Sequence, residues 1–376
     1  MNIIINATIL NESHLTGLGV YTTNVLMRLI PLLQQDNDIS KIIVIGDTKR
    51  LTDLLQDVIR NSKTSIVNLS TVNPIKRLIL LNLFLARQRN KSNTIFYSPV
   101  HHGTIINGFK QIITIHDLFA MIFPQNYKMQ HYYFRYYLPS VIKRTDRIIT
   151  DSKNTATDLA RFYNPLPPVE VNYLALDINK TNNIEETRLD LLDKKYFLFI
   201  GPSYSYKNAD RTITAFVQFI SKLTTAKYYL VFIGGSEQYL NYLYDFIEKK
   251  HPNWKERIYF TGYVSNQELV WLYKNACATL ITTLYEGFGL PALEAMYFGC
   301  PVIASKVASL PEICGDAVLY CNPYNTQDIA DKLFEIIIDS KLRKQLIERG
   351  YQQVKKFSWE KTANSVMGVI KDVSRL

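Results

Sequence analysis

The sequence predicts an α/β protein of two doubly wound domains, and three observations carry that prediction. The chain has 376 residues, more than one ordinary core accommodates and few for three. Short, continuously apolar runs alternate with helix-period segments from end to end, as strands buried on both faces of parallel sheets require. The alternation falls into two blocks separated by the polar, charge-rich stretch DINKTNNIEETRLDLLDKK, Asp177 to Lys195, which reads as a linker.

In the first block the strand candidates are Ile3 to Ile9, Lys41 to Ile45, Thr94 to Tyr97, Gln111 to Ile115 and Arg147 to Thr150. In the second they are Tyr196 to Ile200, Tyr228 to Ile233, Arg257 to Thr261, Ala278 to Ile281 and Pro301 to Ala304. Domains over residues 1–180 and 190–358 follow. The last helix, within 359–376, has no strand to pair with and is expected to pack back onto the first domain.

Composition sets the bounds. Apolar residues at 47% and charged residues at 20% describe a globular protein. The longest apolar stretch, Leu78 to Ala86, is nine residues and includes Asn82, against roughly 20 for a bilayer crossing. Met1 leads directly into a strand-like run with no leader pattern, so a cytoplasmic protein is expected. Four cysteines, Cys277, Cys300, Cys314 and Cys321, lack zinc-ligand spacing and read as reduced, mostly buried thiols. Net charge is +10; between Lys76 and Arg161 stand 13 basic residues against Asp117, Asp146, Asp151 and Asp158. That balance suits an anionic partner: a phosphorylated substrate, an anionic membrane or nucleic acid.

In open parallel sheets ligands bind beyond the carboxyl ends of the strands, so residues just after strand candidates matter most. After the first comes Thr16-Gly17-Leu18-Gly19-Val20-Tyr21, opening a helix. It is either a place of close backbone approach at a helix start or a plain turn, since Thr22 stands at the third glycine position of a dinucleotide fingerprint. After the strand ending at Ile115 stands His116, whose tautomer Asp117 could fix, as a substrate contact or a structural pair. Gly201 to Asn208 places Lys207 near a helix start, as a phosphate ligand or a surface lysine. Gly234-Gly235 and the turn Gly262-Tyr263-Val264 suit close approach by a planar or phosphorylated ligand, and are equally ordinary connections.

The stretch YEGFGLPALE places Glu286 at a strand end and Glu294 in a helix begun by Pro291, with Gly287, Phe288, Gly289 and Leu290 between. Glu294 can simply complement the helix dipole, whereas Glu286 in an apolar strand end favours function. No phosphate loop, HExxH or GxSxG motif is present. Asp36-Asn37-Asp38 precedes a strand and reads as a solvated loop. The basic, tyrosine-rich stretch Asn126 to Arg147 suits either lipid headgroups or packing against its own domain.

Taken together, TGLGVY, IHDL, DSKNTATDL, GPSYSYKNADR, FTGYVS, EGFGLPALEAMYFGCPVIAS and FSWEKTA resemble the retaining, nucleotide-sugar-dependent glycosyltransferases of family 4. The resemblance covers nearly the whole chain and implies the GT-B fold, two Rossmann-like domains facing a central cleft. It implies that Glu286 contacts the donor sugar and Glu294 the ribose, that Lys207 holds the diphosphate with the amides of Phe288, Gly289 and Leu290, and that Gly287 belongs to the same donor-binding turn. Gly17 and Gly19 would lie against the donor phosphates, His116 would meet the transferred sugar, and Gly262, Tyr263 and Val264 the base. His116, Glu286 and Lys207 would thus carry the reaction. Many relatives have an arginine either just after the glycine or just before the lysine; here Pro202 and Tyr206 occupy those places, and Arg211 is the nearest replacement.

The expected activity is metal-independent, cofactor-free transfer of a hexose from a nucleotide diphosphate sugar to a growing glycan, lipid-linked, in bacterial surface polysaccharide assembly. The likeness of HDL and KNADR to polysaccharide mannosyltransferases favours GDP-mannose, with a UDP-sugar as the alternative donor. Peripheral contact with an anionic membrane is expected and no nucleic acid. A sugar-phosphate synthase, a phosphorylase or a non-catalytic nucleotide-sugar-binding subunit are the alternatives.

Overall fold

The structure is a computed structural model that describes residues 1–12, 17–176, 191, 193–223 and 227–376. Thr16 and most of the stretch read as a linker, 177–190 and 192, lie outside the described residues. Two compact units are present: Met1–Ala175 with Ser358–Leu376, and Leu176–Phe357.

Unit 1 is built on a seven-stranded sheet: β1 (Asn2–Asn6), β2 (Lys41–Gly46), β3 (Thr64–Asn68), β4 (Thr94–Ser98), β5 (Lys110–Ile115), β6 (Arg147–Thr150) and β7 (Val169–Val171). Its order is β3-β2-β1-β4-β5-β6-β7, and every pairing is parallel. Unit 2 carries β8 (Lys195–Ile200), β9 (Tyr228–Ile233), β10 (Ile258–Phe260), β11 (Ala278–Ile281), β12 (Val302–Ser305) and β13 (Leu319–Cys321), in the order β10-β9-β8-β11-β12-β13, again all parallel. Each sheet therefore reverses its winding once, between its first and fourth strands. Helices cover the faces and leave Ile3, Ile5, Ile113, Phe197, Leu198 and Ile303 without solvent exposure.

Three strands escape an apolar-run criterion: β3, β7 and β13. All three are edges of their sheets, short or half-buried, so only part of each needs apolar side chains. β1 stops at Asn6 rather than Ile9. There Asn6 Oδ1 accepts from the Thr8 hydroxyl at 2.6 Å and its amide at 3.3 Å, drawing Thr8–Asn11 into a tight helical turn.

The tyrosine-rich stretch is a broken helix: Lys128–Tyr132, a π-helical turn Tyr133–Tyr137, then Leu138–Ile142. Pro139 supplies the reason, because it has no N–H for the preceding turn and its ring crowds the carbonyl four residues back.

The helix Trp359–Ser374 belongs to unit 1, where it lies on the helix Gly17–Gln35 and buries Trp359, Ala363, Val366, Ile370 and Val373 along one stripe. Arg28 Nε donates to Glu360 at 2.8 Å, Asn172 to the Thr362 carbonyl at 2.9 Å and Lys110 Nζ to the Ser374 carbonyl at 2.9 Å. Asp36 of the DxD triplet accepts from the Asp38 amide and pairs with Lys371 at 3.3 Å, which accounts for it as a tied surface loop. All four cysteines are free thiols. Among the described residues no helix is long and apolar enough to cross a membrane.

Candidate active site

In unit 2 the winding reverses between β8 and β11, and a crevice forms where the connections leave a sheet in opposite directions. Lys207 arrives there from the loop after β8, at the end of the short helical turn Ser205–Lys207. Glu286 arrives from the loop after β11. The two meet directly, Lys207 Nζ to Glu286 Oε1 at 2.5 Å, with side chains 19% and 14% exposed. Such a pair is mostly desolvated yet open on one side, so its cation remains available to an anion.

The two loops are stitched together behind that pair. The Leu284 amide donates to the Tyr206 carbonyl at 2.7 Å, and the Thr283 hydroxyl reaches the same oxygen at 3.0 Å. Buried Asn208, in the left-handed conformation (φ 66°), donates from Nδ2 to the carbonyls of Thr282 and Pro323, both at 2.8 Å. Its Oδ1 accepts from Arg211 Nη1 at 2.8 Å. Arg211 is thus fixed in the first turn of the helix Ala209–Ser221, its guanidinium 5.8 Å from the Tyr324 ring. Tyr206, standing where an arginine was anticipated, puts its ring 5.4 Å from Lys207 Nζ and stacks on Tyr204.

After Glu286 the chain turns through Gly287 and Phe288 into Gly289, whose φ of 111° suits glycine alone and which opens the helix Leu290–Tyr297. A Cβ at Gly289 would stand 2.9 Å from Leu310. The Ser309 hydroxyl lies between the carbonyls of Glu286 and Phe288, at 2.9 and 2.8 Å, and so fixes the turn. The Gly289 and Leu290 amides precede the first internal bond of that helix, Ala292 to Gly289, so they face the end that attracts anions. Glu294 accepts from Tyr273 Oη at 3.0 Å, and burial and then the Glu294 charge push the Tyr273 hydroxyl well above its ordinary range. Gly262 has φ 66° and open space where a Cβ would stand; Tyr263 beside it is 89% exposed, and Val264 is half-buried.

In unit 1 His116 follows β5, and its expected partner is corrected. Asp151, at the end of β6, rather than Asp117, holds Nδ1 at 2.5 Å, while Nε2 meets the Pro99 carbonyl at 2.9 Å. Asp117 instead lies near the Phe119 amide. Because a carbonyl only accepts, Nε2 carries a proton, and both ring nitrogens are engaged. Burial works against a charged imidazole here, but the Asp151 charge and hydrogen bond, the Pro99 carbonyl and Asp117 outweigh it and raise the His116 pKa. Among the described residues nothing lies within 4 Å of where a Cβ of Gly17 would stand, and Gly19 is buried in the same helix.

The structure brings Lys207, Glu286 and Arg211 together in unit 2 around Asn208, with Ser309 holding the turn that follows Glu286. His116, Gly17 and Gly19 are placed in unit 1. Sequence reading missed Asp151, Tyr273, Asn208 and Ser309; the strand-end rule that picks out His116 would have found Asp151 equally. Among the described residues no group of three or more His, Cys, Asp or Glu could hold a metal ion.

Comparison with known proteins places this geometry. The family described as "Glycosyl transferases group 1" matches residues 180–353. O-antigen chain mannosyltransferase B of Escherichia coli is 29% identical over 271 residues, 70% of this chain and 70% of its own. The glycosyltransferase MJ1178 of Methanocaldococcus jannaschii, itself uncharacterized, is 30% identical over 267 residues, 70% of this chain and 68% of its own. Sucrose-phosphate synthase of Thermosynechococcus elongatus shares the fold, with TM-score 0.74 at 17% identity over 99% of this chain and 98% of that one. The two parallel, helix-flanked sheets and these likenesses lead to one conclusion: the chain belongs to the group 1 glycosyl transferases, enzymes of the GT-B fold.

Proposed function

We propose that the chain is a retaining, metal-independent mannosyltransferase that moves mannose from GDP-mannose to a growing, lipid-linked glycan in surface polysaccharide assembly, working at the inner face of the cell membrane. The observation that carries the reading is the Lys207–Glu286 pair at the β8/β11 switch point, beside the amides that open the helix Leu290–Tyr297. Charge grows on the leaving diphosphate as the bond from C1 to phosphate oxygen breaks, and a fixed ammonium with helix-start amides stabilises it. Glu286 turns toward the sugar hydroxyls and Glu294 toward the ribose. The acceptor oxygen bonds to C1 on the face the phosphate leaves, and its proton passes to the departing phosphate oxygen. Arg211 assists at the phosphates, and Gly262, Tyr263 and Val264 at the base; His116, whose two ring nitrogens are held by Asp151 and the Pro99 carbonyl, has none left for the sugar. The name of the Escherichia coli relative supports mannose as the sugar.

The test is a donor screen on the purified chain. GDP-mannose at 100 times its Kd is expected to stabilise it by about 2.7 kcal/mol in thermal unfolding, and to release GDP when acceptor is added. Stabilisation and turnover by UDP- or dTDP-sugars alone would overturn the donor, and absence of any release would overturn the enzyme.

The lipid-linked acceptor is supported by surface chemistry in unit 1. Met129, Tyr132 and Tyr136 are 69%, 58% and 70% exposed, among exposed Lys128, Arg135 and Lys143. Each basic residue close to an anionic surface is worth about 1 kcal/mol. Reversing the charges of Lys128, Arg135, Lys143 and Arg144 is therefore expected to weaken binding to phosphatidylglycerol vesicles more than tenfold in a sedimentation assay. Unimpaired binding would count against the bilayer contact.

A further inference from the structure

Unit 1 has its own switch point, between β1 and β4, and the groups around it are left unused by the donor reading. Arg77, one turn into the helix Pro74–Ala86, is 4% exposed. Its Nη1 donates to the Thr8 carbonyl, just past β1, at 3.2 Å. The paired carboxylate, Glu12, stands 3.9 Å away, too far for a hydrogen bond. A guanidinium has five N–H donors, and among the described residues Arg77 makes that one hydrogen bond.

From the other side of the switch, past β4, come His101 and His102, rings edge-to-face at 4.4 Å. Their backbone is pinned: Tyr133 Oη donates to the His101 carbonyl at 2.8 Å and Asn6 Nδ2 to the His102 carbonyl at 3.0 Å. His102 Nδ1 is buried and has no hydrogen-bond partner among the described residues. Burial first, then His116 and Arg77, pushes the His101 pKa down to about 3; burial, His101 and Arg77 depress His102 likewise. The two imidazoles are thus neutral, each with one N–H to give, beside a permanent cation. Tyr133, whose ring lies 5.3 Å from His101 and 5.7 Å from His102, belongs to the π-helical turn, a distortion that recurs at functional sites.

We propose that this switch point binds a phosphoryl group of the acceptor, with Arg77 supplying the charged fork and His101 and His102 supplying neutral donors. A buried guanidinium at a switch point is built for a multivalent oxyanion. The inference rests on the reading of the chain as a transferase. Two sources share the chemistry, a lipid diphosphate and a soluble sugar phosphate. The outward face of the same helix, where Ile75, Ile79 and Leu83 are 58%, 54% and 49% exposed, favours the lipid.

Inorganic phosphate is the first probe. In Lys207→Ala, which lacks the donor-site cation, calorimetry is expected to show phosphate binding that Arg77→Gln weakens at least tenfold and Arg77→Lys weakens less. Each variant is first shown to be folded by its thermal transition. A second readout leaves Arg77 intact: in Lys207→Ala with labelled histidines, phosphate is expected to shift the His101 and His102 ring resonances while His251, in unit 2, stays put. No phosphate binding, equal affinity in a folded Arg77→Gln, or unmoved His101 and His102 signals at saturation each overturn the proposal. Tighter binding of a short polyprenyl diphosphate than of a sugar 1-phosphate assigns the lipid source; the reverse assigns the soluble one. Failure of the transferase reading is seen separately, as no GDP release from GDP-mannose by the unaltered chain.

Discussion

Lys207→Ala is expected to lower kcat by about 10²- to 10³-fold, the loss of one preorganised donor to a developing oxyanion being worth about 3 kcal/mol. The size of the effect follows from how Lys207 is held. Its ammonium is four-fifths buried and set against Glu286 at 2.5 Å, on loops tied by the Leu284, Thr283 and Asn208 hydrogen bonds, so it needs little reorganisation to meet a phosphate. Removing it also leaves the Glu286 carboxylate facing the donor with no cation beside it. Donor binding should therefore weaken as well, and adding Glu286→Gln should cost less than it does alone, because the two side chains act as one unit. Steady-state kinetics of GDP release measures both effects. Near-normal turnover in Lys207→Ala, or strictly additive losses in the double variant, would refute the assignment.

Asp151→Asn is expected to destabilise unit 1 by about 3–5 kcal/mol, the usual cost of breaking a buried ion pair by removing one partner. Asp151 and His116 are both almost fully buried, and Pro99 obliges Nε2 to keep its proton. Removing the carboxylate charge leaves a buried imidazole with nothing to hold its second proton. Urea unfolding followed by Trp359 fluorescence in a Trp254→Phe, Trp271→Phe background reports unit 1, since Trp359 packs 6.1 Å from Tyr21, which packs 4.6 Å from His116. A loss below about 1 kcal/mol would contradict the pair's structural weight.

The same pair fixes a pH dependence. Burial raises the Asp151 pKa, partly offset by His116, and the His116 pKa is raised in turn, so the folded pair keeps a proton that the unfolded chain releases. The groups facing it, Tyr21, Asp117 and His101, do not reverse that sign. The Asp151 share is lost as pH rises from its unfolded value of about 3.9, and the His116 share is complete below the unfolded histidine value of about 6.5 and is lost as pH rises through the raised value. Unfolding of unit 1 should therefore become easier with rising pH, and in Asp151→Asn the slope should flatten.

Continuous apolar runs located the strands buried on both faces, and so most of each sheet was legible in the sequence. Edge strands such as Val169–Val171 carry no such signal, because half of each side-chain row faces water. The strand-end rule found Glu286 and Lys207 separately, but their contact spans 79 positions and is made by the winding of the sheet, which no local pattern encodes. His116 shows the limit most clearly. Its neighbour in sequence, Asp117, was the obvious partner, whereas parallel pairing of β5 with β6 puts position 151 beside it. Arg77 was hidden differently: it stands next to Lys76 ahead of the apolar run Leu78 to Ala86, and only packing shows it turned inward.

That unit 1 is completed by residues 358–376 bears on how the protein is made. The ribosome delivers the seven-stranded sheet first, then all of unit 2, and only afterwards the helix that covers Gly17–Gln35. Unit 2 is continuous in sequence and can close while synthesis proceeds; unit 1 must wait, its surface for Trp359, Val366 and Ile370 bare for the time taken to translate some 180 residues. The older half of the nascent chain therefore carries an uncovered apolar surface, of the kind chaperones bind, until synthesis ends.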